Sequence, residues 1–309
     1  MSYVSRSITG RSVTFVKRAV AAAIAATVLI APVCAQQLNG TLKKIKDTGT
    51  ITLGFRESSI PFSYYDQNQK PIGYSIDFAY KVVDALKKTQ PNLKVNLIPI
   101  TSQNRITLVQ NGTIDLECGS TTNNKARAQQ VTFTDTIFVI GTRLLTKKTS
   151  GIHDFPDLAG KTVVVSAGTT SEELIRKMNQ EKHMGMNIIS AKDHGESFLI
   201  LETGRAVAFM VDDVLLAGER MKAKHPDDWV IVGTPQSREA YGCMLRRDDP
   251  QFKQFVDKVF SNVMSSGEAN RIYKKWFLSP VPPKGLNMNF ALSPDVAADY
   301  KHPNDTPYQ

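Results

Sequence analysis

Among its 309 residues the chain has only three cysteines, too few for a disulfide-dense scaffold, and its five histidines are dispersed, so no zinc-ligand spacing arises. No run of five or six like charges occurs, and no basic block is interleaved with aromatics, which argues against a nucleic-acid partner. The G-x-S-x-G elbow of serine hydrolases and the H-E-x-x-H pair of zinc proteases are both missing. Ala159-Gly160-Lys161-Thr162 looks like the end of a phosphate loop, but Phe155 stands where the first glycine belongs, and the run begins a strand instead of ending one. Beyond residue 35 no apolar run approaches the ~20 residues a membrane span needs. No cofactor is expected.

What is present begins with an export signal. Arg6, Arg11, Lys17 and Arg18 precede an apolar run over 19–33, and Val33-Cys34-Ala35-Gln36 offers small residues at a cut site, with cleavage expected after Ala35. A lipid anchor on Cys34 is the rival, disfavoured by bulky Val33. Removing 1–35 takes four positive charges and no negative ones from the formal +9, leaving +5, a mild and dispersed excess. The expected product is soluble, monomeric and periplasmic. Cys118 and Cys243 remain, and an even pair in an oxidising compartment suggests one disulfide; two separately buried thiols are the alternative.

From Thr50 the chain alternates short β-branched runs with helix-length amphipathic segments. Strands are expected over 50–55, 93–98 and 114–118, with helices over 75–88 and 104–110 between them. This order predicts a mostly parallel sheet covered by helices on both faces. Residues 131–145 form a long extended run with no helix after it. A second series then follows, with strands over 161–166, 187–191, 206–211 and 229–232 and helices over 171–180, 196–203 and 214–224. Residues 239–245 form another strand without a preceding helix, leading to helices over 250–265 and 268–277 and a proline-rich tail. Two extended segments bracketing a complete α/β unit predict two lobes joined by two crossing strands, with 36–141 and 239–309 in the first lobe and 142–238 in the second. Ligands in such proteins sit beyond the carboxyl ends of strands, in the cleft between lobes.

The side chains that follow each strand are therefore the ones that matter. Gly119-Ser120-Thr121-Thr122-Asn123-Asn124-Lys125-Ala126-Arg127 follows the third strand. It combines hydroxyl donors with an arginine fork that matches a carboxylate. The same run also reads as a polar turn capping a helix that starts near Asn123. Arg56 follows the first strand, and Ser102 and Arg105 the second. In the other lobe Thr170, His194 and Asp212 occupy the corresponding places. Singly, each has an ordinary reading as surface charge, helix cap or loop residue. Together they supply three arginines, several hydroxyls, one histidine and one carboxylate to a single cleft, an inventory suited to a zwitterion with one extra negative charge.

Several runs carry a resemblance: Arg56-Glu57-Ser58-Ser59, Leu97-Ile98-Pro99-Ile100-Thr101-Ser102-Gln103-Asn104-Arg105, Glu117-Cys118-Gly119-Ser120-Thr121-Thr122-Asn123-Asn124, Ser190-Ala191-Lys192-Asp193-His194-Gly195 and Ala240-Tyr241-Gly242-Cys243-Met244-Leu245-Arg246. From about Leu42 to the tail the chain resembles the periplasmic solute-binding proteins for polar amino acids, and specifically those that serve glutamate/aspartate ABC importers. The resemblance implies L-glutamate and L-aspartate as ligands and the membrane permease subunits of an importer as partners. It implies that Arg127 grips the α-carboxylate with Ser120, Thr122 and Thr170, that Asp212 takes the ammonium, and that Arg56, Ser102, Arg105 and His194 surround the side-chain carboxylate. An exported enzyme of the small dehydratase kind on the same scaffold is the competing class. It would need a carboxylate or histidine free to move a proton, whereas Asp212 and His194 are both accounted for by ligand contacts.

Overall fold

The structure, a computed structural model, describes residues 37–307, and the expected export signal with Cys34 lies outside them. Strand Thr50–Arg56 sits inside a five-stranded sheet ordered Lys94–Ile100, Thr50–Arg56, Leu116–Glu117, Met244–Leu245, Thr132–Phe133. Its two neighbours run parallel to it, with Leu53 opposite both Leu97 and Leu116. Six of its seven residues are buried, as a parallel strand covered on both faces requires. Met244 pairs antiparallel with Glu117 and Phe133, so the far half of the sheet is antiparallel.

The second sheet is ordered Asn187–Ala191, Thr162–Ser166, Ala208–Asp212, Phe138–Lys147, Trp229–Val232. Its first three strands are parallel and rich in Val, Ile and Ala, and its last two pairings are antiparallel. The helices between strands start at side-chain caps that satisfy free N–H groups of the first turn. Thr169 accepts from the Glu172 N–H at 3.1 Å, and Asp193 from the Glu196 N–H at 2.9 Å.

Phe138–Lys147 belongs to both halves of the molecule. Residues 142–147 pair with the second sheet, while Phe138 to Gly141 pair antiparallel with the return strand Arg238–Tyr241. An aromatic cluster holds this crossing to the first lobe. The Phe62 ring meets Phe138 edge-on at 4.9 Å and Tyr241 at 5.0 Å, and Phe138 stacks on Phe277 at 4.9 Å. Such pairs add about 0.5–1.5 kcal/mol each beyond their burial.

The structure departs from the sequence reading in five places. Residues 131–145 are not one strand, because the backbone between Thr132–Phe133 and Phe138–Lys147 is bonded elsewhere. The Thr134 N–H donates to the Cys243 carbonyl and the Thr136 N–H to the Asn304 carbonyl. Likewise 239–245 breaks after Tyr241, where the Gly242 N–H turns to the Thr121 carbonyl at 3.1 Å. The tail is not merely proline-rich but forms a hairpin, Pro280–Val281 with Leu286–Asn287, and a helix, Pro294–Lys301. A helix at Gly40–Thr48 and a small sheet of Ser58–Ser59, Ser63–Tyr65 and Pro71–Ile72 were not expected.

Cys118 and Cys243 form a disulfide across 125 residues of sequence, beside the crossing in the first sheet. A closed loop of this length contributes about 2–5 kcal/mol. The double variant Cys118→Ser, Cys243→Ser is therefore expected to melt lower, by ~2–4 °C for each kcal/mol lost. Calorimetry giving equal midpoints would show that the bridge adds no stability.

Candidate functional site

The carboxyl ends of the two sheets face one another across a cavity of about 220 Å³. Arg105, Ser120, Thr122 and Arg127 line it from the first lobe, and Thr169, Thr170, Ser171, His194, Val211, Asp212 and Leu215 from the second. Larger open hollows lie on the outer face, one between Tyr80 and Trp276 and one between Leu42 and Phe255, but neither is lined by an arginine or by a buried unpaired donor.

Local structure fixes each lining group. The capping reading of the Gly119–Arg127 run holds, since Asn124 caps the short helix Lys125–Ala128 by accepting from the Arg127 N–H at 2.9 Å, and Arg127 lines the cavity. Arg127 Nη1 donates to the Thr122 carbonyl at 3.2 Å and Nη2 to the Gly168 carbonyl of the other lobe at 3.3 Å. Thr170 opens helix Thr170–Glu181 and Asp212 ends strand Ala208–Asp212. Arg56 and Ser102, expected in the site, do not line this cavity. Both are buried, Arg56 to 1% exposure, and both carry side-chain atoms without partners.

The lobes meet around the cavity. A Cβ at Gly168, which also holds φ +75°, would stand 2.6 Å from Gln103 Cα. The Gly195 N–H donates to Ser58 Oγ at 3.2 Å, and Lys192 Nζ lies 3.6 Å from Glu57. This is a closed arrangement.

The polar atoms left unpaired define the chemistry. Arg56 Nη1 and Nη2, Arg105 Nε, the hydroxyls of Ser102, Ser120 and Ser171, and His194 Nε2 are buried and without partners. Every one of these can donate, and a buried donor left unmade costs about 1–3 kcal/mol. Burial and the charges of Arg56 and Arg105 hold His194 well below its ordinary value, so the imidazole is neutral. Its Nδ1 lies 2.8 Å from Ser166 Oγ, leaving Nε2 toward the cavity.

Asp212 is the opposite pole. Thr142 Oγ1 donates to its Oδ1 at 2.9 Å and the Tyr241 hydroxyl donates to Oδ2. A second carboxylate, Glu239, accepts from Ser237 Oγ at 2.6 Å and from Thr170 Oγ1 at 3.0 Å. Burial, then Glu239, pushes Asp212 up to about 7. The sequence reading missed these supporting residues, and also the lining residues Thr169, Ser171, Val211 and Leu215. It missed Glu117 as well, a buried carboxylate reached by the Thr121 hydroxyl at 2.9 Å. The one available signal was an acid inside the apolar run Ile114-Asp115-Leu116-Glu117-Cys118.

Several known proteins resemble this chain in sequence or fold. A family model, bacterial extracellular solute-binding proteins, family 3, matches residues 51–279. The chain is 63% identical over 267 residues to a glutamate/aspartate import solute-binding protein of Salmonella typhimurium, covering 86% of this chain and 88% of that one. It is 62% identical over 286 residues to an L-glutamate/L-aspartate-binding protein of Pseudomonas aeruginosa, covering 92% and 95%. Among solved structures, an ancestral arginine-binding protein bound to arginine superposes with a TM-score of 0.67 at 29% identity, over 74% of this chain and 98% of that one.

The raised Asp212 carboxyl has a consequence for stability. A carboxyl whose folded value exceeds its unfolded value holds its proton more tightly in the fold. That advantage is fully present below the unfolded value and is lost as pH rises to the folded one. Ligand-free protein is therefore expected to lose stability from pH ~4 toward neutrality, and Asp212→Asn to flatten that loss. Thermal midpoints measured across pH decide it; parallel profiles for the two proteins would remove Asp212 as the cause.

Proposed function

Because the chain belongs to the bacterial extracellular solute-binding proteins, family 3, we propose that it captures L-glutamate or L-aspartate between its lobes and delivers it to the membrane permease of an ABC importer. The observation that carries this reading is the set of buried, unpaired donors at the cavity, Arg105 Nε, Ser120, Ser171 and His194 lining it and Arg56 and Ser102 buried without lining it, opposed by the Asp212 carboxylate. A dicarboxylic amino acid answers that pattern group by group. Arg127, with Ser120, Thr122 and Thr170, takes the α-carboxylate, and the N-terminus of helix Thr170–Glu181 adds its free N–H groups and dipole. Asp212 takes the ammonium. Arg105 and the neutral His194 meet the distal carboxylate, with Ser102 and Arg56 behind them.

The protein is a carrier and not an enzyme, as its relatives named for binding and import are. Export to the periplasm through residues 1–35 completes the reading. In this reading the lobes divide at 141/142 and 238/239, within the crossing strands, a division supported by the pairing of Gly141 with Arg238.

Isothermal titration is expected to show one L-glutamate per chain with submicromolar affinity, about −8 to −10 kcal/mol. Arg127→Ala should abolish binding, and near-normal affinity in that variant would reject the assigned role. L-Glutamine keeps the α-groups but leaves the distal guanidiniums short of a counter-charge, a loss of about 2–5 kcal/mol, so it should compete at least ~30-fold more weakly. Equal displacement by the two would move the arginines out of the distal pocket.

Closure is testable separately. Gly168→Ala places a methyl against Gln103 and strains a left-handed backbone. It should weaken glutamate at least ~10-fold, about 1.4 kcal/mol, while leaving each lobe folded. X-ray scattering of the wild type should show a smaller radius of gyration with glutamate, and a profile unchanged at saturation would argue against hinge closure.

A further inference from the structure

Glu117 lines no part of the cavity, yet it is the fully buried acid nearest the distal arginines. It ends strand Leu116–Glu117 at 0% exposure, held in register opposite Gly54 and Met244. Thr121 Oγ1 lies 2.9 Å from its Oε2 and 3.1 Å from its Oε1, and accepts from Arg105 Nη1 at 2.6 Å. Arginine can only donate. The Thr121 proton must therefore go to Glu117. Burial raises the Glu117 carboxyl, and the Arg105 charge, the Thr121 hydrogen bond and the Arg56 charge oppose that rise and favour its ionised form.

Gly119 shows that Arg56 belongs to the same cluster. A Cβ there would stand 2.8 Å from Arg56 Cγ and 2.8 Å from Glu117 Oε1, so both side chains press on one glycine. Glu117 thus stands behind Arg56 and Arg105. The other groups facing this region are neutral His194, Arg127, which acts on Arg105, Tyr241, and Asp193, whose charge is partly screened because it stands half-exposed at the N-cap of its helix.

The charges can then be counted. Arg56 and Arg105 contribute two positive charges at the distal end and Glu117 removes one, leaving a single positive charge for the ligand to meet. We propose that Glu117 is a positioning residue that sets the charge of the distal group, restricting the site to a distal monoanion such as a carboxylate and excluding a distal dianion. This rests on the glutamate/aspartate reading above. A phosphonate in its doubly ionised form would leave one uncompensated negative charge in a closed, buried site, where no water repays the lost solvation. In Glu117→Gln the amide oxygen still accepts from Thr121, the distal end carries two positive charges, and a dianion becomes the balanced ligand.

The probes are L-glutamate and its phosphonate analogue L-2-amino-4-phosphonobutyrate, competed against labelled glutamate above the second ionisation of the phosphonate. The ratio of phosphonate to glutamate dissociation constants should fall at least ~10-fold from wild type to Glu117→Gln. A ratio that stays the same overturns the proposal. A purely structural role for Glu117 would weaken both ligands together and leave the ratio alone. Should the variant fail to fold, the wild type decides. Its affinity for the phosphonate should drop by about tenfold per pH unit above that second ionisation, whereas glutamate affinity, which carries any titration of the protein itself, stays comparatively flat. Phosphonate and glutamate profiles that run parallel would overturn the proposal equally. If glutamate itself does not bind wild-type protein, the parent reading falls and this one with it.

Discussion

Four antiparallel residue pairs, from Gly141 with Arg238 to Tyr241 with Phe138, join the two halves of the molecule. A two-strand crossing is stiff along its length and compliant in bend, which is the geometry hinge closure requires. The aromatic cluster of Phe62, Phe138, Tyr241 and Phe277 clamps one end of the crossing into the first lobe. At the other end, Thr142 hands directly into the second sheet opposite Asp212. The hinge therefore also builds the site: Thr142 and Tyr241, both on crossing strands, donate to the Asp212 carboxylate.

Electrostatics gives the site its sense. Three arginines are buried around the cleft, and burial together with mutual repulsion lowers the proton affinity of Arg105 in particular. Such an arrangement is tolerable in a folded protein only when countercharge is supplied, and here protein carboxylates supply part of it. Glu117 serves one end and Asp212 the other, with Glu239 bonded to Thr170 nearby. The remainder is left for a ligand. Binding energy in such a site comes largely from pairing groups whose desolvation was met during folding, which is also why an uncharged isostere gains so little.

Closure brings these groups to bear. Arg127 reaches the Gly168 carbonyl across the cleft, and Ser58 accepts from the Gly195 N–H. Gly168 lets the two backbones approach because it has no side chain to keep them apart. The same fold carries arginine in a solved relative, so ligand charge is selected by side chains placed on the scaffold and not by the scaffold itself.

Much of this was legible in the residues. Alternating β-branched and amphipathic segments specify helices and strands by period alone, and Asn187–Ala191, Trp229–Val232, Pro250–Ser265 and Glu268–Phe277 appear where the pattern puts them. Strand ends carrying arginine, hydroxyl and acid identified the cleft, because parallel α/β sheets bind at those ends. What the pattern could not decide was long-range backbone bonding. The breaks at 134–137 and at Gly242 arise from partners more than a hundred residues away. The support beneath the site is of the same kind: Glu117 under the distal arginines, and Tyr241 and Thr142 on Asp212. Sequence determined which side chains stand at the strand and helix ends, since that is local, and of those it singled out Arg105, Ser120, Thr122, Arg127, Thr170, His194 and Asp212 line the cavity while Arg56 and Ser102 do not. Tertiary structure alone decided which of their charges remain uncompensated, because that depends on neighbours brought together only by folding.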